Sequence, residues 1–569
     1  MALLERAHKT IVRLGLIPKV IKALPKISIL LSIIGLIWIA VLPLDGQYRG
    51  TYFSENALMP SQAYSYFRES EWNLLRGYRT QLKGFQIDEL ENNLQTMEIW
   101  LKDIGYKTHI QHSDKGSNLY GIWHAPRGDD TEAIVLGAAY FNSDNIFNIG
   151  GLSLAISMAR YFHRWNVWSK NIIIVIPENP NSALRSWVNA YHSDLDLTGG
   201  SIEGAIMLDY SSSSDNFEYI ELFYEGINGQ LPNLDLVNVA VSVSEHEGPR
   251  VSIQKTSQEE LGRFDYWSRL RILVRGIIEL SLAGLKPGHG NEAFSGWRIQ
   301  SLTLKAHGES GPYDITTFGR IPEAIFRSIN NLLEKFHQSF FFYFLLAPRK
   351  FVSIGTYLPS AALITSSYIL SSLNHVLNSN FEIVHLLSFG VLSGGFFIGC
   401  ISIGVLISQV FPLLPIEASY GLILLFGIIS ISINFIKIPG SQELKIVLKS
   451  ISLLYYGTVL SSLLVLNFAL TFTIGICAFP LTLINDQQPT FKKILLLLIS
   501  NPFLLSILIS QDFENGLSEL IKGLIISWDE FNCHTWFIIC IGWLPSWLGI
   551  VLSLLINDDS RTLNEKKTN

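Results

Sequence analysis

Three apolar runs in this chain each end in residues able to carry chemistry. Ala133–Ala138 (AIVLGA) leads into Tyr140 and on to Asp144, Asn171–Ile176 (NIIIVI) into Pro177-Glu178-Asn179, and Gly204–Leu208 (GAIML) into Asp209-Tyr210. Carboxylates gathered at such ends can hold a divalent cation or move protons. Glu178 and Asp209 are the main candidates, with Asp144, or Asp314 in Gly311-Pro312-Tyr313-Asp314, as a third member. The competing reading is that these residues cap the helices that follow, a task suited to the same residue types. Both readings stand at each position.

The elements that would position these groups follow from the spacing. The runs read as strands covered on both faces. Between them, Gly150–Trp165 and Ser182–His192 carry apolar residues near helical spacing. Strands alternating with helices imply right-handed βαβ units and a parallel or mixed sheet, with ligands at the carboxyl ends of the strands.

This run resembles the M28-type zinc aminopeptidase fold. In that family the first strand ends in His-x-Asp, a bridging Asp precedes the next helix, and a Glu pair, an Asp and a late His complete the ligands of two zinc ions. Here Ala139 and Phe141 stand where the His and Asp would be, and the bridging position falls near Phe147, before Asn148-Ile149-Gly150-Gly151. Glu178 and Asp209 fit the later acidic positions, and the late region around Asp314 has no His. Two carboxylates do not complete a zinc site, which takes four ligands. The histidines from His109 to His307 show no ligand spacing. Gly-x-Ser-x-Gly, His-Glu-x-x-His and a phosphate-binding Gly-x-x-x-x-Gly-Lys-Ser/Thr are absent. The expectation is an enzyme fold without its chemistry. Glu178 and Asp209 are vestigial metal-site positions, and no metal, cofactor or catalytic residue is expected. A metal-dependent enzyme built on Glu178 and Asp209, with Asp144 or Asp314, is the alternative.

The layout of the 569 residues sets where such a domain would sit. Ile27–Leu44 is long enough to cross a hydrocarbon core. Arg6, Lys9, Arg13, Lys19, Lys22 and Lys26 precede it against Glu5 alone, which predicts a cytosolic N-terminus and a lumenal domain after it. The expected domains are a basic N-terminus (1–26), a first span (27–44), an aminopeptidase-like lumenal domain (45–335), a membrane-surface connector (336–356), a bundle (357–556) and a cytosolic tail (557–569). Apolar stretches at 357–373, 383–411, 415–437, 451–476, 493–510 and 535–556 read as further spans. Lys566-Lys567 near the end resembles a dilysine retrieval signal of the endoplasmic reticulum. With both termini cytosolic the number of spans is even, and an eighth crossing is expected at Ile476–Ile484 or Leu517–Trp528. Phe336–Leu346 (FHQSFFFYFLL) lies on the membrane surface or forms a last core helix. Cys400, Cys477, Cys533 and Cys540 all fall in the apolar third, so the 45–335 domain can have neither a disulfide nor a cysteine nucleophile. The net charge of −6 and the lack of a basic stripe exclude a nucleic-acid partner.

Longer stretches carry a second resemblance. They include Asp45-Gly46-Gln47-Tyr48-Arg49, Ser54–Pro60, Gln62–Tyr66, Asn291–Arg298 (NEAFSGWR), Thr317-Phe318-Gly319-Arg320 and Ile541-Gly542-Trp543-Leu544-Pro545. The chain is similar through nearly its whole length to the glycosylphosphatidylinositol (GPI) anchor attachment family in its fungal form. That family is a non-protease subunit of GPI transamidase, whose cysteine nucleophile belongs to a separate caspase-like subunit. The resemblance implies an endoplasmic reticulum membrane protein that binds the GPI lipid and assembles with the other subunits. It also implies GPI recognition at the last helix, around Trp543, Pro545 and Trp547. There a proline kink opens a groove and the tryptophans sit at headgroup level.

Overall fold

The computed structural model describes residues 16–60, 65–379, 386–513 and 515–558. Arg6, Lys9, Arg13, Lys566 and Lys567 lie outside them. The chain divides into an α/β unit, Leu42–Ile354, and a helical unit of Met1–Val41 with Gly355–Asn569.

The α/β unit is built on eight strands. They are β1 Lys107–Ser113, β2 Gly116–Trp123, β3 Glu132–Gly137, β4 Asn171–Pro177, β5 Ser201–Asp209, β6 Tyr219–Phe223, β7 Val251–Ser252 and β8 Gln300–His307. Their order is β1-β2-β4-β3-β5-β8-β6-β7. The middle four, β4-β3-β5-β8, are parallel, while β2 and β6 flank them antiparallel. The three apolar runs of the sequence are β3, β4 and β5. They alternate sides, so Ile172, Ile174 and Ile176 enter one core while Ile173 and Val175 enter the other. Helices Ile149–Arg164 and Ser182–Ser193 connect them as the spacing predicts. From β3 the chain moves to β4 on one side and then to β5 on the other. That reversal places a crevice beyond the carboxyl end of β3.

Residues 336–356, expected as a connector, take another form. Residues 343–347 form a fully buried strand, paired with Lys350–Ser353, which also pairs with Arg49–Gly50. A strand covered on both faces reads as an unbroken apolar run, so periodicity could not distinguish it from a helix.

In the helical unit, four helices among the described residues are long and apolar enough to cross a membrane: Pro18–Val41, Phe389–Leu413, Gln442–Leu466 and Thr535–Leu555. Thr490–Ile499 and Pro502–Ile509, bent by 57° at their junction, add a fifth if they form one broken span. The first helix starts at Leu16, well before the expected boundary. The stretch 451–476 is broken at Asn467, whose side chain caps the next helix at Leu470 N (3.0 Å). The stretch 357–373 lies in helix Ile354–Leu377, which is rich in serine and approaches its neighbours closely. Ser28 donates to Ser367 O (2.7 Å), and Ser372 and Ser450 bond side chain to side chain (2.8 Å). A Cβ on Gly35 would lie 2.6 Å from Ser360 O, so only glycine fits there. Leu517–Trp528 lies in helix Gly516–Asp529, and Ile476–Ile484 is a helix end followed by a 3-10 turn. Val391, Ile398, Leu406, Leu424 and Phe435 are exposed, an apolar surface suited to hydrocarbon.

Candidate functional site

The loop after β3 is shaped by one side chain. Asn142 Oδ1 accepts from Asp144 N (3.0 Å) and Ile146 N (2.9 Å), which closes a turn that holds Asn145 at φ 58°. Its Nδ2 donates to Asp209 Oδ1 at 3.2 Å. Asn148, next along, caps helix Ile149–Arg164. Its Oδ1 accepts from Gly151 N (3.2 Å) and Tyr210 N (2.9 Å), and its Nδ2 donates to Leu208 O (2.8 Å). The loop is thereby tied to the end of β5. A Cβ on Gly150 would lie 2.5 Å from Tyr210 O, so glycine is required at this approach.

Asp144 and Asp209 meet here, joined by a group the sequence reading did not single out. Lys305 Nζ, from β8, lies 2.7 Å from Asp144 Oδ2 and 3.4 Å from Asp209 Oδ2. The side chains of Lys305 and Asp209 are largely buried, whereas that of Asp144 is 52% exposed. Burial raises Asp209 above its ordinary value, opposed by the Lys305 charge. For Asp144 burial acts upward too, but the Lys305 hydrogen bond and charge outweigh it and hold the carboxyl low. Burial pulls Lys305 down, and the two carboxylates more than reverse this.

The other expected members are elsewhere engaged. Glu178 Oε2 accepts from Ser117 N at 3.0 Å, on the β2 side of the sheet. Asp314 caps helix Ile315–Asn330, accepting from Thr317 N (2.8 Å) and from the hydroxyls of Thr317 and Thr316 (both 2.6 Å). Burial raises it, but those hydrogen bonds prevail and hold it low. The capping reading is therefore right for Asp314. Among the described residues no three His, Cys, Asp or Glu side chains are grouped to hold a metal ion. The two acids that do meet already share an ammonium, so the donor set does not fit the zinc ions that the aminopeptidase resemblance implies.

Ser143 and His289 also adjoin this cluster, with Oγ and Nδ1 3.1 Å apart. The imidazole stacks on Phe223, and burial, helped by the Lys305 charge, lowers its pKa to about 3. Burial thus weakens this imidazole as a general base for the hydroxyl. The signal for Lys305 was present in the sequence, where QSLTLKAH carries one lysine in a short β-type run.

The residues expected at a lipid groove are packed inside the helical unit. Trp543, Pro545 and Trp547 are all buried. Trp543 Nε1 donates to Ser500 O (3.1 Å) and Trp547 Nε1 to Leu497 O (3.0 Å). These carbonyls lie where helix Thr490–Ile499 ends and the chain bends, and a helix end leaves its last carbonyls without partners. Pro545 is buried in the first turn of helix Leu544–Leu555. A π turn at Ile539–Trp543 precedes it, and the helix continues to Leu555. The carbonyl a proline frees lies four residues back. That group, Ile541 O, accepts from the Tyr455 hydroxyl at 2.8 Å. Gly404 packs against the same turn, where a Cβ would lie 2.1 Å from Cys540 O.

Comparisons with known proteins agree with the second resemblance. The profile of the family described as "Gaa1-like, GPI transamidase component" matches residues 115–551. The GPI transamidase component GAA1 of Saccharomyces cerevisiae is 49% identical over 603 aligned positions, covering 97% of each chain. The gaa1 component of Schizosaccharomyces pombe is 30% identical, covering 91% of this chain and 90% of its own. Among solved structures, a putative zinc-dependent exopeptidase of Bacteroides vulgatus aligns with 48% of this chain and 98% of its own, at 14% identity and a TM-score of 0.31. The assignment to an α/β class rests on the eight-stranded sheet itself. With a family profile spanning most of its length and a relative sharing half its residues, the chain belongs to the family of Gaa1-like GPI transamidase components.

Proposed function

We propose that this chain is a non-catalytic subunit of GPI transamidase that holds the GPI lipid and supports its attachment to proteins in the endoplasmic reticulum membrane. Its α/β unit is lumenal and both termini are cytosolic. Its partners are the other subunits, including a caspase-like cysteine protease. Full-length family membership is the observation that carries this reading. Two features support its non-catalytic half. The acids at the carboxyl edge of the sheet are satisfied by Lys305, Ser117 and Asn142. All four cysteines are in the helical unit. The metal-dependent alternative has no cluster of three ligands behind it among the described residues.

The test uses complexes assembled with Glu178→Gln or Asp209→Asn. Transamidation per assembled complex should match wild type, and the complex should carry no stoichiometric zinc attributable to this chain. Zinc lost together with activity in either variant would overturn the reading. We place the lipid beside helix Thr535–Leu555, with Trp543, Pro545 and Trp547 setting that helix in position. Pro545→Ala restores a backbone donor, competes with the Tyr455 contact, and should reduce the GPI co-purified per complex. Unchanged GPI would move the lipid site to other spans and leave the subunit assignment standing.

A further inference from the structure

A cavity of about 500 Å³ opens at the amino end of β8, the end of that strand away from Lys305. Arg298, Lys335, Phe336, Phe341, Phe342 and Gln230 line it, and no carboxylate does among the described residues. Arg298 belongs to the run Asn291–Arg298, which the acid cluster does not use. Its guanidinium is exposed and has no ion pair or hydrogen bond among the described residues.

Its backbone is held in an unfavourable shape. Arg298 has φ 57°, a left-handed conformation uncommon for arginine. Its neighbours fix it there. Arg185 donates to Ala293 O (2.8 Å), Gly296 N to Gln230 Oε1 (3.0 Å), Trp297 Nε1 to Asn189 Oδ1 (2.9 Å), and Gln300 Nε2 to Arg298 O (3.1 Å). Backbone strain held by surrounding bonds, with a free cation at its tip, is a feature of ligand sites.

The lining selects a class of ligand. A guanidinium recognises phosphate through paired N–H donors. Lys335 adds an ammonium that donates to Ser201 Oγ (2.7 Å) and lies 3.8 Å from the buried Glu203 Oε1, so it reaches the cavity as a shared charge. Phe342 is 43% exposed, a flat apolar face of the kind on which the C–H side of a sugar ring packs. The carbonyl of Gln230 is used by Gly296, which leaves its amide N–H groups for a hydroxyl. The wall does not move freely, because Glu55 Oε1 accepts from His337 N (2.8 Å) and Gln338 N (2.7 Å).

We propose that this cavity binds a phosphorylated sugar, with the phosphate on Arg298 and Lys335 and the ring against Phe342. Only the natural ligand, a phosphate-bearing sugar of the GPI glycan, rests on the function proposed above.

The purified full chain is titrated with mannose 6-phosphate, mannose, inorganic phosphate and a short acidic peptide, followed by saturation-transfer NMR. Mannose 6-phosphate should bind more tightly than any of the other three. Arg298→Asn suits the left-handed backbone, so the fold should survive, which an unchanged unfolding temperature verifies. It should weaken mannose 6-phosphate by about tenfold or more through loss of the charge-assisted bonds, and Arg298→Lys should recover part of that. Phe342→Ala should lose the preference for the sugar and keep weak phosphate binding. Equal binding by wild type and Arg298→Asn overturns the proposal. So does phosphate alone, or the acidic peptide, binding as well as the sugar phosphate. None of these results touches the subunit assignment. In the assembled complex, Arg298→Asn should lower co-purified GPI several-fold, and unchanged GPI would overturn the GPI glycan as the natural ligand.

Discussion

Asp209, at the end of β5, and Ile541, in the last helix, each present a buried oxygen that local structure leaves without a partner. The α/β unit answers the first with the ammonium of Lys305, and the helical unit answers the second with the hydroxyl of Tyr455. The difference lies in what each answer has to balance. Asp209 is a carboxyl whose burial disfavours the charged form, and the Lys305 charge, with the Asn142 amide, opposes that. Ile541 O is a neutral acceptor, and a single O–H is enough. In both places residue types that suggest chemistry or ligand binding are satisfied from within the chain. The cost of removing the partner should therefore scale with charge.

The largest effect is expected at Lys305. Lys305→Met leaves Asp209 buried and unpaired, a loss of about 3 to 5 kcal/mol for a broken buried pair. The arm to half-exposed Asp144 adds at most about 1 kcal/mol. The pH dependence should shift, because in wild type the raised Asp209 and the lowered Asp144 act in opposite directions as pH falls. In wild type, Asp144 is held low, so its contribution is present above the ordinary carboxyl value and is lost as pH falls through the depressed one. Lys305 is raised, so its contribution is present at neutral pH and lost as pH rises through the elevated value. In Lys305→Met the opposing charge on Asp209 is gone and its already raised pKa climbs further, so relative to wild type the variant should be favoured as pH falls. Thermal unfolding of both proteins from neutral to mildly acidic pH reads this. Parallel profiles would show that the ammonium does not govern the cluster.

A smaller effect is expected at Tyr455. Tyr455→Phe strands the Ile541 carbonyl, at about 1 to 3 kcal/mol. In a Pro545→Ala background the backbone supplies a donor and the penalty should shrink, so a double-mutant cycle should show coupling. Additive losses would mean that Tyr455 does not serve the proline. Smaller again are Trp543→Phe and Trp547→Phe, about 1 kcal/mol each for the indole bonds, with larger losses expected for alanine. The smallest is Glu178→Gln. It keeps an oxygen for Ser117 N and should shift the unfolding temperature little. A large shift would mean that Glu178 does more than hold β2.

The apolar runs that became β3, β4 and β5 were legible because strands covered on both faces leave an unbroken signature. The helices between them were legible from period and caps. The eighth strand was harder to see, since QSLTLKAH mixes polar and apolar residues and its pairing with β5 crosses a long stretch of sequence. At the candidate site, Glu178 and Asp209 were the expected pair, with Asp144 or Asp314 as a third member; folding brings Asp144 to Asp209 and leaves Glu178 on Ser117, and the shared partner Lys305 was not foreseen. Trp543, Pro545 and Trp547 were recognised as special, yet their surroundings were not, because the Thr490–Pro502 bend and Tyr455 reach them only through packing.

The sequence by itself determined the two-part layout, the α/β alternation, the confinement of cysteine to the apolar third and the family. These follow from local periodicity, composition and long matching stretches, which need no knowledge of contacts. Only the tertiary structure decided which acids meet, that Lys305 lies between two of them, that Asp314 caps a helix, and that Trp543, Pro545 and Trp547 are packed inside the bundle. Each depends on a partner far away in the chain, and the state of a charge or a hydrogen bond is set by whichever group folding brings within about 3 Å.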